Sequence, residues 1–323
     1  MTDRIPVGVI GVGTMGQNHA RVYRELPSAE LVGVTDTNDD CAAEVAASYD
    51  TRPMQKNAIL EAVEAVSIAV PTECHYAVAQ EAIERDVHVL VEKPFVKSIP
   101  RGWDLVKQAD ERDLTLQVGH IERFNPAVQA LNEIVSDFTI IAIDANRLGP
   151  PIDRDVDVSP VLDLMIHDID IVRSLAGGDV TSITAVSTPN TPYVSASLSF
   201  DSIVATLTAS RITQNKVRQL TVTARECWVK IDYIDQSIEI YHHSVPEYVE
   251  REGGIKFRDN HIVERPSVDN SEPLKAELQS FLDAVSSGKD PFVSGIDGIE
   301  SLKIANKVNE AIGERKRSLE VDT

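Results

Sequence analysis

Two ionisable side chains stand in succession in the tripeptide Glu-Lys-Pro at residues 92–94. They follow the apolar run VHVLV, which predicts a buried strand, so a carboxylate and an ammonium lie at the end of that strand. A lysine that is partly desolvated next to another cation has its charged form disfavoured and can exchange a proton near neutral pH. Lys93 is therefore a candidate for acid–base chemistry, whereas Glu92 is better suited to supporting the loop or binding a ribose. The alternative for Lys93 is a lysine that merely ends a strand in solvent.

A second group of ionisable residues lies in VLDLMIHDID, residues 161–170. Asp163, His167 and Asp170 are spaced by four and three residues, which places them on one face of a helix. Removing a proton from a hydroxyl near neutral pH suits a histidine, so His167 is a candidate acid–base residue. The alternative is an aspartate that caps the helix and a histidine whose hydrogen bonds are satisfied in the core. Asp168 and Asp170 are interpreted as structural.

Glycines at positions 11, 13 and 16 form a GxGxxG pattern that follows the first predicted strand and opens a helix. In a βαβ unit this pattern permits a tight turn, close approach to a pyrophosphate and close helix–strand packing, while the helix N-terminus attracts the anion. Asp36 ends the second predicted strand, about 20 residues beyond the last glycine. Its carboxylate can bind an adenosine ribose and would repel a 2′-phosphate, so NAD is predicted in preference to NADP. The residues assigned to this site are Gly11, Gly13, Thr14, Met15, Gly16, Asp36 and Thr37.

The loop VPTECH, residues 70–75, follows another predicted strand. Ligands bind along the carboxyl edge of an open α/β sheet, so this loop is expected to border the same cofactor. A surface hydrogen bond at a helix start is the alternative for His75. No cysteine or histidine spacing indicates a metal site, and no metal is predicted. The residues added here to the cofactor site are Pro71, Thr72, His75, Glu92 and Lys93.

Candidate substrate-binding residues lie in GHIERFNP, residues 119–126, and near the end of IDANRLGPP. Arg123 and Arg147 are prominent because a guanidinium fork binds a phosphate or carboxylate with two hydrogen bonds. Surface pairing with one of the many acidic residues is the alternative for each arginine. The Asn125-Pro126 pair is also a plain helix start. The set assigned to substrate is Lys93, His120, Arg123, Asn125, Arg147, Asp163 and His167.

The order of predicted elements divides the chain into two domains. Over residues 1–121, near-continuous apolar strands alternate with helices, which predicts a Rossmann α/β domain with a parallel sheet covered on both faces. Residues 122–323 carry successive strands, several of which alternate apolar and polar residues, and two helical regions. This pattern predicts an α+β domain with an open mixed, mainly antiparallel sheet. Its C-terminal helices are expected to return and pack near the first domain. The apolar positions expected to need cover by a second subunit are Ile203, Ala205, Leu207, Leu220 and Val222.

Composition narrows the classes of function. The 323 residues include 31 basic and 51 acidic ones, a net charge of −20, and such a surface repels nucleic acid and anionic lipid. No apolar run is long enough for a membrane span, and the N-terminus lacks signal-peptide organisation. Three cysteines without paired spacing fit a reducing compartment, so a cytoplasmic location is expected. Because the acidic residues are dispersed and arginine exceeds lysine, a halophilic protein is suggested.

These motifs together resemble the glucose-fructose oxidoreductase/inositol dehydrogenase family, Gfo/Idh/MocA, over essentially the whole chain. The resemblance rests on GVIGVGTMGQNHA, EKP, GHIERFNP, DLMIHDID and EPLKAELQSFLDAV. It implies that Lys93 reaches the substrate hydroxyl or carbonyl, often after a cis peptide before Pro94. It further implies that His167 acts as acid and base while Asp163 orients the substrate or the histidine. An NAD-dependent sugar oxidoreductase that forms homodimers or homotetramers is expected.

The segment GHIERFNP is most similar to family members that oxidise the 3-hydroxyl of UDP-N-acetylglucosamine, and two arginines would suit a diphosphate. Oxidation of inositol or of a free aldose is the enzymatic alternative, because it needs no arginine clamp. A glycoside-cleaving, NAD-dependent relative shares Lys93, Asp163 and His167. A sensor or scaffold that binds NAD without turnover is the alternative from another class, and retention of those three residues argues against it.

The dispersed acidity leads to a prediction about salt. Repulsion among surface charges is screened as ionic strength rises, because the Debye length falls to about 3 Å at 1 M salt. We expect the temperature of unfolding to increase from dilute buffer to molar KCl, as measured by circular dichroism. Full stability in dilute buffer would contradict the halophilic interpretation.

Overall fold

The chain folds into two compact units, each with its own sheet. The first unit comprises Met1–Phe124 and Ser271–Lys303, and the second comprises Asn125–Asn270 and Ile304–Thr323. The residues described by the computed structural model are 4–151, 159–188, 192–242, 247–251, 254–258 and 262–321.

The secondary structure has strands and helices at the following bounds. The strands are β1 (Ile5–Ile10), β2 (Ala29–Thr35), β3 (Ala65–Ile68), β4 (His88–Glu92), β5 (Leu116–Gly119), β6 (Ile140–Leu148), β7 (Ser182–Ser187), β8 (Tyr193–Ser199), β9 (Val204–Ser210), β10 (Val217–Ala224), β11 (Cys227–Asp232), β12 (Ser237–His242), β13 (Glu247–Arg251), β14 (Gly254–Arg258) and β15 (Ile262–Glu264). The helices are α1 (Thr14–Glu25), α2 (Asp39–Ser48), α3 (Lys56–Leu60), α4 (Thr72–Glu84), α5 (Ile99–Asp110), α6 (Pro126–Val135), α7 (Ile166–Ala176), α8 (Pro273–Ser287) and α9 (Gly295–Val321). A 3₁₀ turn covers Ile121–Phe124, and a π-helical turn covers Val161–Met165.

The first unit contains a five-stranded parallel sheet of order β2-β1-β3-β4-β5, which confirms the predicted Rossmann architecture. Every residue of β3 and β5 is buried, and β4 is buried from its second residue to its last. Strands that are buried along their whole length are typical of a parallel sheet with both faces covered. The carboxyl ends of these strands carry the glycine loop and the Glu-Lys-Pro turn at one edge.

The segment 271–303 belongs to the first unit. The predicted domains were 1–121 and 122–323, so this segment was assigned to the second domain. The difference arises because α8 packs its apolar face into the first core. Leu278 and Phe281 are fully buried there in one cluster with Val7 of β1. The periodicity of α8 predicts a helix with an apolar face, but periodicity alone does not say which sheet that face covers.

The second unit contains an eight-stranded sheet of order β15-β12-β11-β10-β6-β9-β8-β7. The β6–β9 pair is parallel and the remaining pairs are antiparallel, so the predicted mixed, mainly antiparallel sheet is confirmed. A separate hairpin is formed by β13 and β14.

One face of the second sheet is covered within the chain. The apolar residues of β9 and β10 belong to one buried cluster with residues of α6 and α7, including Leu131 and Ile169. The expectation that these strand residues need a second subunit is therefore wrong, because the helices already remove them from water. The residues concerned are Ile203, Ala205, Leu207, Leu220 and Val222.

The opposite face of the sheet carries the alternate residues of the same strands. Because successive side chains of a strand point to opposite faces, Val204 and Thr206 lie there, and both are exposed. Among the described helices, none combines the length and the apolar character that crossing a bilayer requires.

Candidate active site

The glycine loop joins β1 to α1 in the first unit. Gly11 has φ +87°, and a Cβ on it would lie 2.8 Å from the Ala69 backbone, so both its conformation and its surroundings require glycine. A Cβ on Gly16 would lie 1.8 Å from the Gly11 carbonyl oxygen, which forces close contact between helix and strand. Gly13 differs, because nothing in the described chain lies within 4 Å of its Cβ position. The fold of this unit therefore gives no reason for glycine at position 13.

Asp36 is oriented toward the same loop. Its Oδ2 accepts the Val12 N–H at 2.8 Å, and its Oδ1 accepts the Asn38 N–H at 3.0 Å. Each carboxylate oxygen has a further lone pair, and the residue is only partly buried, so it can still accept hydrogen bonds from a ligand. α1 starts beside it with Gly13 at its cap and no capping hydrogen bond from a described side chain.

The Glu92-Lys93-Pro94 turn at the end of β4 is held by its first residue. Glu92 is 7% exposed, and its Oε1 lies 3.0 Å from Nε2 of the fully buried His19 of α1. Its Oε2 accepts the backbone N–H of Lys93 at 3.2 Å. Burial alone would raise the pKa of Glu92, but the His19 hydrogen bond and the His19 and Lys93 charges lower it. The Lys93–Pro94 peptide is cis, and the Lys93 side chain is half-buried.

His75, at the start of α4, connects this turn to the preceding loop. Its Nδ1 lies 3.0 Å from the Pro94 carbonyl oxygen, and its Nε2 lies 2.8 Å from the Val70 carbonyl oxygen. The ring is 1% exposed, so the alternative of a surface hydrogen bond does not describe it. Within the first unit, His75 and Glu92 thus fix the backbone on both sides of Lys93.

Asp163 and His167 lie in the second unit, at a π-helical turn and the start of α7. Such turns occur frequently at functional sites. Asp163 forms an ion pair with Arg211, whose side chain is 8% exposed while that of Asp163 is 31% exposed. A carboxylate that faces a buried guanidinium is held in one orientation by the ion pair. His167 is half-buried one turn further on.

Arg147 of β6 is bound to Asp168 rather than directed to solvent. Its Nε and Nη2 donate to the two carboxylate oxygens at 2.8 and 2.9 Å, and both side chains are nearly fully buried. The guanidinium also lies over the Tyr233 ring, 5.2 Å from its centroid. The fork that was predicted to bind substrate therefore fastens α7 to the sheet beside His167, and Asp168 has the structural role predicted for it.

The remaining predicted substrate residues are also buried. Arg123 lies 3.6 Å from Asp297 and 5.8 Å from the Phe292 ring centroid, within the first unit. Asn125 accepts the Ala127 N–H at the start of α6, as expected for a cap, and donates to the Tyr233 carbonyl at 3.0 Å. His120 is 1% exposed at the end of β5.

Comparison with known proteins identifies the family. A model described as the oxidoreductase family with NAD-binding Rossmann fold matches residues 5–120, and a Gfo/Idh/MocA C-terminal domain model matches residues 146–230. The UDP-N-acetylglucosamine 3-dehydrogenase of Acidithiobacillus ferrooxidans is 33% identical over 311 residues, which cover 94% of this chain and 96% of that protein. The chain belongs to the Gfo/Idh/MocA oxidoreductase family.

Two further comparisons agree with this membership. A solved structure of the A. ferrooxidans UDP-N-acetylglucosamine 3-dehydrogenase matches with a TM-score of 0.85 at 32% identity, over 96% of this chain and 98% of that one. The inositol 2-dehydrogenase of Rhizobium meliloti is 24% identical over 328 residues, which cover 96% of this chain and 97% of that protein.

The first unit of this Gfo/Idh/MocA protein fits NAD. The open Cβ position of Gly13 leaves room for a pyrophosphate against the start of α1, whose first N–H groups have no intrahelical acceptor. Asp36 stands beside that loop with acceptor capacity for a ribose diol. The motif-based expectation of an NAD-binding oxidoreductase is therefore confirmed at the level of the family.

Three buried residues that lie near the predicted site residues were not identified from the sequence. His19 and Glu277 lie near Glu92, and Arg211 pairs with Asp163. Glu277 stands on the apolar stripe of α8 with Leu274 and Leu278, and a carboxylate inside such a stripe is a signal that could have identified it. Arg211 carries no local signal, because its partner is 48 residues away.

Gly13 and Gly16 provide a matched pair of substitutions. We expect Gly13→Ala to unfold within about 2 °C of the wild type, since the added methyl meets open space. Its affinity for NAD should fall about tenfold or more, because the methyl occupies the pyrophosphate position. Calorimetric titration and thermal unfolding measure the two effects.

Gly16→Ala should instead destabilise the fold by about 3 kcal/mol, because its Cβ overlaps the Gly11 carbonyl oxygen. Unchanged NAD affinity in a folded Gly13→Ala variant would show that the pyrophosphate does not approach position 13.

Proposed function

We propose that this protein is an NAD-dependent sugar dehydrogenase that oxidises the 3-hydroxyl of a UDP-N-acetylglucosamine-like nucleotide sugar. The observation that carries the proposal is the 33% identity to UDP-N-acetylglucosamine 3-dehydrogenase over 94% of the chain. It is supported by the presence of Lys93 on the turn after β4, Asp163 on the π-helical turn and His167 at the start of α7. NAD is preferred over NADP, because the Asp36 carboxylate next to Val12 would repel a 2′-phosphate.

Lys93 and His167 are the two groups proposed to exchange the substrate's hydroxyl proton. Lys93 is half-buried on a turn that Glu92 and His75 hold in place, so its amine can be presented in one position. His167 follows the π-helical turn and can take a proton near neutral pH. Asp163, held by Arg211, orients the hydroxyl or the imidazole. When bound, NAD supplies the acceptor for the hydride that leaves the alcohol carbon.

The proposed phosphate contact is Arg123. Its side chain is 11% exposed, and a guanidinium fork can bind a phosphate with two hydrogen bonds. Arg147 is now proposed to position α7 instead, since Asp168 occupies two of its donors. Glu92 is proposed to support the loop, because both of its oxygens already have partners.

A panel of substrates tests the function. Purified protein is incubated with NAD and UDP-N-acetylglucosamine, inositols or free aldoses, and NADH is followed by absorbance. NADH formation with the nucleotide sugar alone supports the proposal. NADH formation with inositol would favour the class to which the 24%-identical relative belongs. Release of free sugar without net NADH would identify a glycoside-cleaving enzyme, and NAD binding without turnover would identify a sensor.

Substitution of the two proton-transfer residues should reduce turnover with little effect on NAD affinity. Lys93→Ala and His167→Ala are expected to lower kcat by about 10²- to 10⁴-fold, the usual contribution of a general acid or base. Lys97→Ala and His242→Ala are matched controls, since Lys97 is exposed and His242 pairs with Glu264 on the second sheet. A near-normal kcat in Lys93→Ala or His167→Ala would remove that residue from the mechanism.

Self-association is proposed to occur through the free face of the second sheet. The outward positions of the three neighbouring strands β7, β8 and β9 carry no charged side chain, in a chain with 31 basic and 51 acidic residues. Charge depletion is typical of the core of a protein interface. A second copy of the chain, in a homodimer or homotetramer, would cover this face.

Placing a charge on that face should dissociate the oligomer. Ser197→Arg puts a guanidinium on the outer face of β8, between Thr184 of β7 and Thr206 of β9, and Ala43→Arg puts the same charge on an exposed position of α2 as a control. We expect light scattering to report a dimer or tetramer for the wild type and the control, and a species of lower mass for Ser197→Arg. A monomeric wild type would contradict the proposal.

The proposed compartment is the cytoplasm. It is supported by Cys41, Cys74 and Cys227, which are all free thiols in the described chain. A halophilic source is proposed from the net charge of −20 alone.

A further inference from the structure

A buried cluster of polar side chains lies behind the Glu92-Lys93-Pro94 turn, entirely within the first unit. It consists of His19 of α1, Glu92 of β4 and Glu277 of α8, with nitrogen and oxygen atoms within 4.8 Å of one another. Gln117 of β5 adjoins it and donates to the backbone carbonyl of Glu277 at 3.3 Å. The exposed fractions of His19, Gln117 and Glu277 are 0%.

The two carboxyl groups of this cluster have very different surroundings. Glu92 has a donor for each oxygen, His19 at 3.0 Å and the Lys93 N–H at 3.2 Å. Glu277 has no hydrogen-bond partner for either oxygen among the described residues. An ionised carboxylate without donors or a cation is strongly disfavoured in a protein interior. Two adjacent buried carboxyl groups, only one of which is stabilised, cannot both remain ionised.

We propose that Glu277 is a protonated, neutral carboxylic acid at neutral pH, and that its neutrality keeps Glu92 in position to hold the Lys93 turn. Glu277 is thus a positioning residue, since it acts on Lys93 through Glu92. The consequence for turnover rests on the proposed function of Lys93, whereas the protonation state does not. Burial, followed by the negative charge of Glu92, raises the pKa of Glu277 well above its ordinary value.

The groups that face Glu277 favour this arrangement. From α1 these are His19 and the buried Tyr23, whose hydroxyl bonds to Ser67 at 2.7 Å. β4 contributes Glu92, and β5 contributes the uncharged Gln117, whose side-chain oxygen lacks a donor among the described residues. A protonated Glu277 adds an O–H donor to this donor-poor cluster.

The arginine of the adjoining 3₁₀ turn, Ile121–Phe124, pairs with a carboxylate outside the cluster. Arg123 on that turn pairs with Asp297, so its charge is directed to another carboxylate. His19 is therefore the basic group of the cluster, and its Nε2 is engaged by Glu92.

Folding stability depends on pH because the pKa of Glu277 differs between the folded and the unfolded chain. A carboxyl group whose pKa is higher in the folded state than the ordinary 4.5 keeps its proton on folding, whereas the unfolded chain loses it above pH 4.5. This contribution to stability is present in full below pH 4.5 and is lost as pH rises toward the folded pKa. Between pH 4.5 and the folded pKa, Glu277 alone should raise the unfolding equilibrium constant of the wild type by up to about tenfold per pH unit.

Glu277→Gln tests the proposal because the amide has the shape of the neutral acid and does not titrate. Between about pH 5 and neutral pH, the urea-unfolding profile of Glu277→Gln should lack the rise of about tenfold per pH unit that is expected for the wild type. Asp283→Asn, which removes an exposed carboxylate from the same helix, is the matched control and should keep the wild-type slope. Infrared spectra of the wild type should contain a protonated-carboxyl C=O band at neutral pH that is absent in Glu277→Gln.

The positioning role of Glu277 is tested by measuring turnover. With the substrate identified by the panel, wild-type kcat should fall at alkaline pH, because an ionised Glu277 repels Glu92. The kcat of Glu277→Gln should not show this fall, because the amide does not ionise. The unfolding and infrared results do not depend on turnover. A protein without turnover would therefore contradict the proposed function but would leave the protonation of Glu277 supported.

Three results would overturn the proposal. The first is a wild-type protein without a protonated-carboxyl band at neutral pH, which can be measured even if Glu277→Gln does not fold. The second is an identical pH dependence of unfolding in wild type and Glu277→Gln. The third is one divalent metal ion per chain, measured by mass spectrometry, that is lost in Glu277→Gln, since the cluster would then be a cation site.

Discussion

The hydrogen-bonded pair of His19 and Glu92 joins the helix behind the dinucleotide loop to the turn that carries Lys93. Both residues are almost fully buried, and buried charge is tolerated only where partners satisfy it. The loop, the turn and the adjoining strand must therefore be built to fit one another. Gly119 of β5 belongs to this arrangement, because a Cβ there would lie 3.2 Å from the carboxyl carbon of Glu92. The position of the Lys93 turn thus depends on buried groups from α1, β4 and β5.

The second unit uses buried arginines for the same purpose. Arg147 holds Asp168 with two hydrogen bonds, and Arg211 faces Asp163, so charged pairs lie on either side of His167 along the chain. In a chain with 20 more acidic than basic residues, these arginines are committed to the interior rather than to neutralising the surface. Breaking a buried pair of this kind costs about 3–5 kcal/mol, because the remaining charge is left without a partner.

The parts of the molecule that could be predicted from sequence are those set by local pattern. Near-continuous apolar strands between helices predicted the parallel sheet, and the spacing of the glycines predicted the tight turn at Gly11 and the close helix–strand packing at Gly16. The cap at Asn125 and the structural role of Asp168 were also read correctly.

The parts that could not be predicted depend on contacts between distant segments. The return of the C-terminal helices toward the first domain was expected, but the assignment of residues 271–303 to the first unit depends on tertiary packing that periodicity does not specify. Alternation along β9 and β10 predicted two faces but not which one the helices cover, so the face assigned to subunit contacts was the wrong one. The buried partners Arg211 and Glu277 required coordinates for the same reason. Arg147 was recognised as important, but its acceptor, Asp168, is 21 residues away.

The parallel pairing of β6 with β9 has a consequence for how the second unit assembles. Parallel neighbours cannot be joined by a tight turn, and the chain between these two strands includes the π-helical turn, α7 and the β7–β8 hairpin. Contacts between such widely separated residues form late, because the loop-closure entropy must be overcome first. Residues 161–176, which include His167, lie in the connection between these two strands. A chain still emerging from the ribosome would have its first sheet complete in sequence well before β9 could pair with β6.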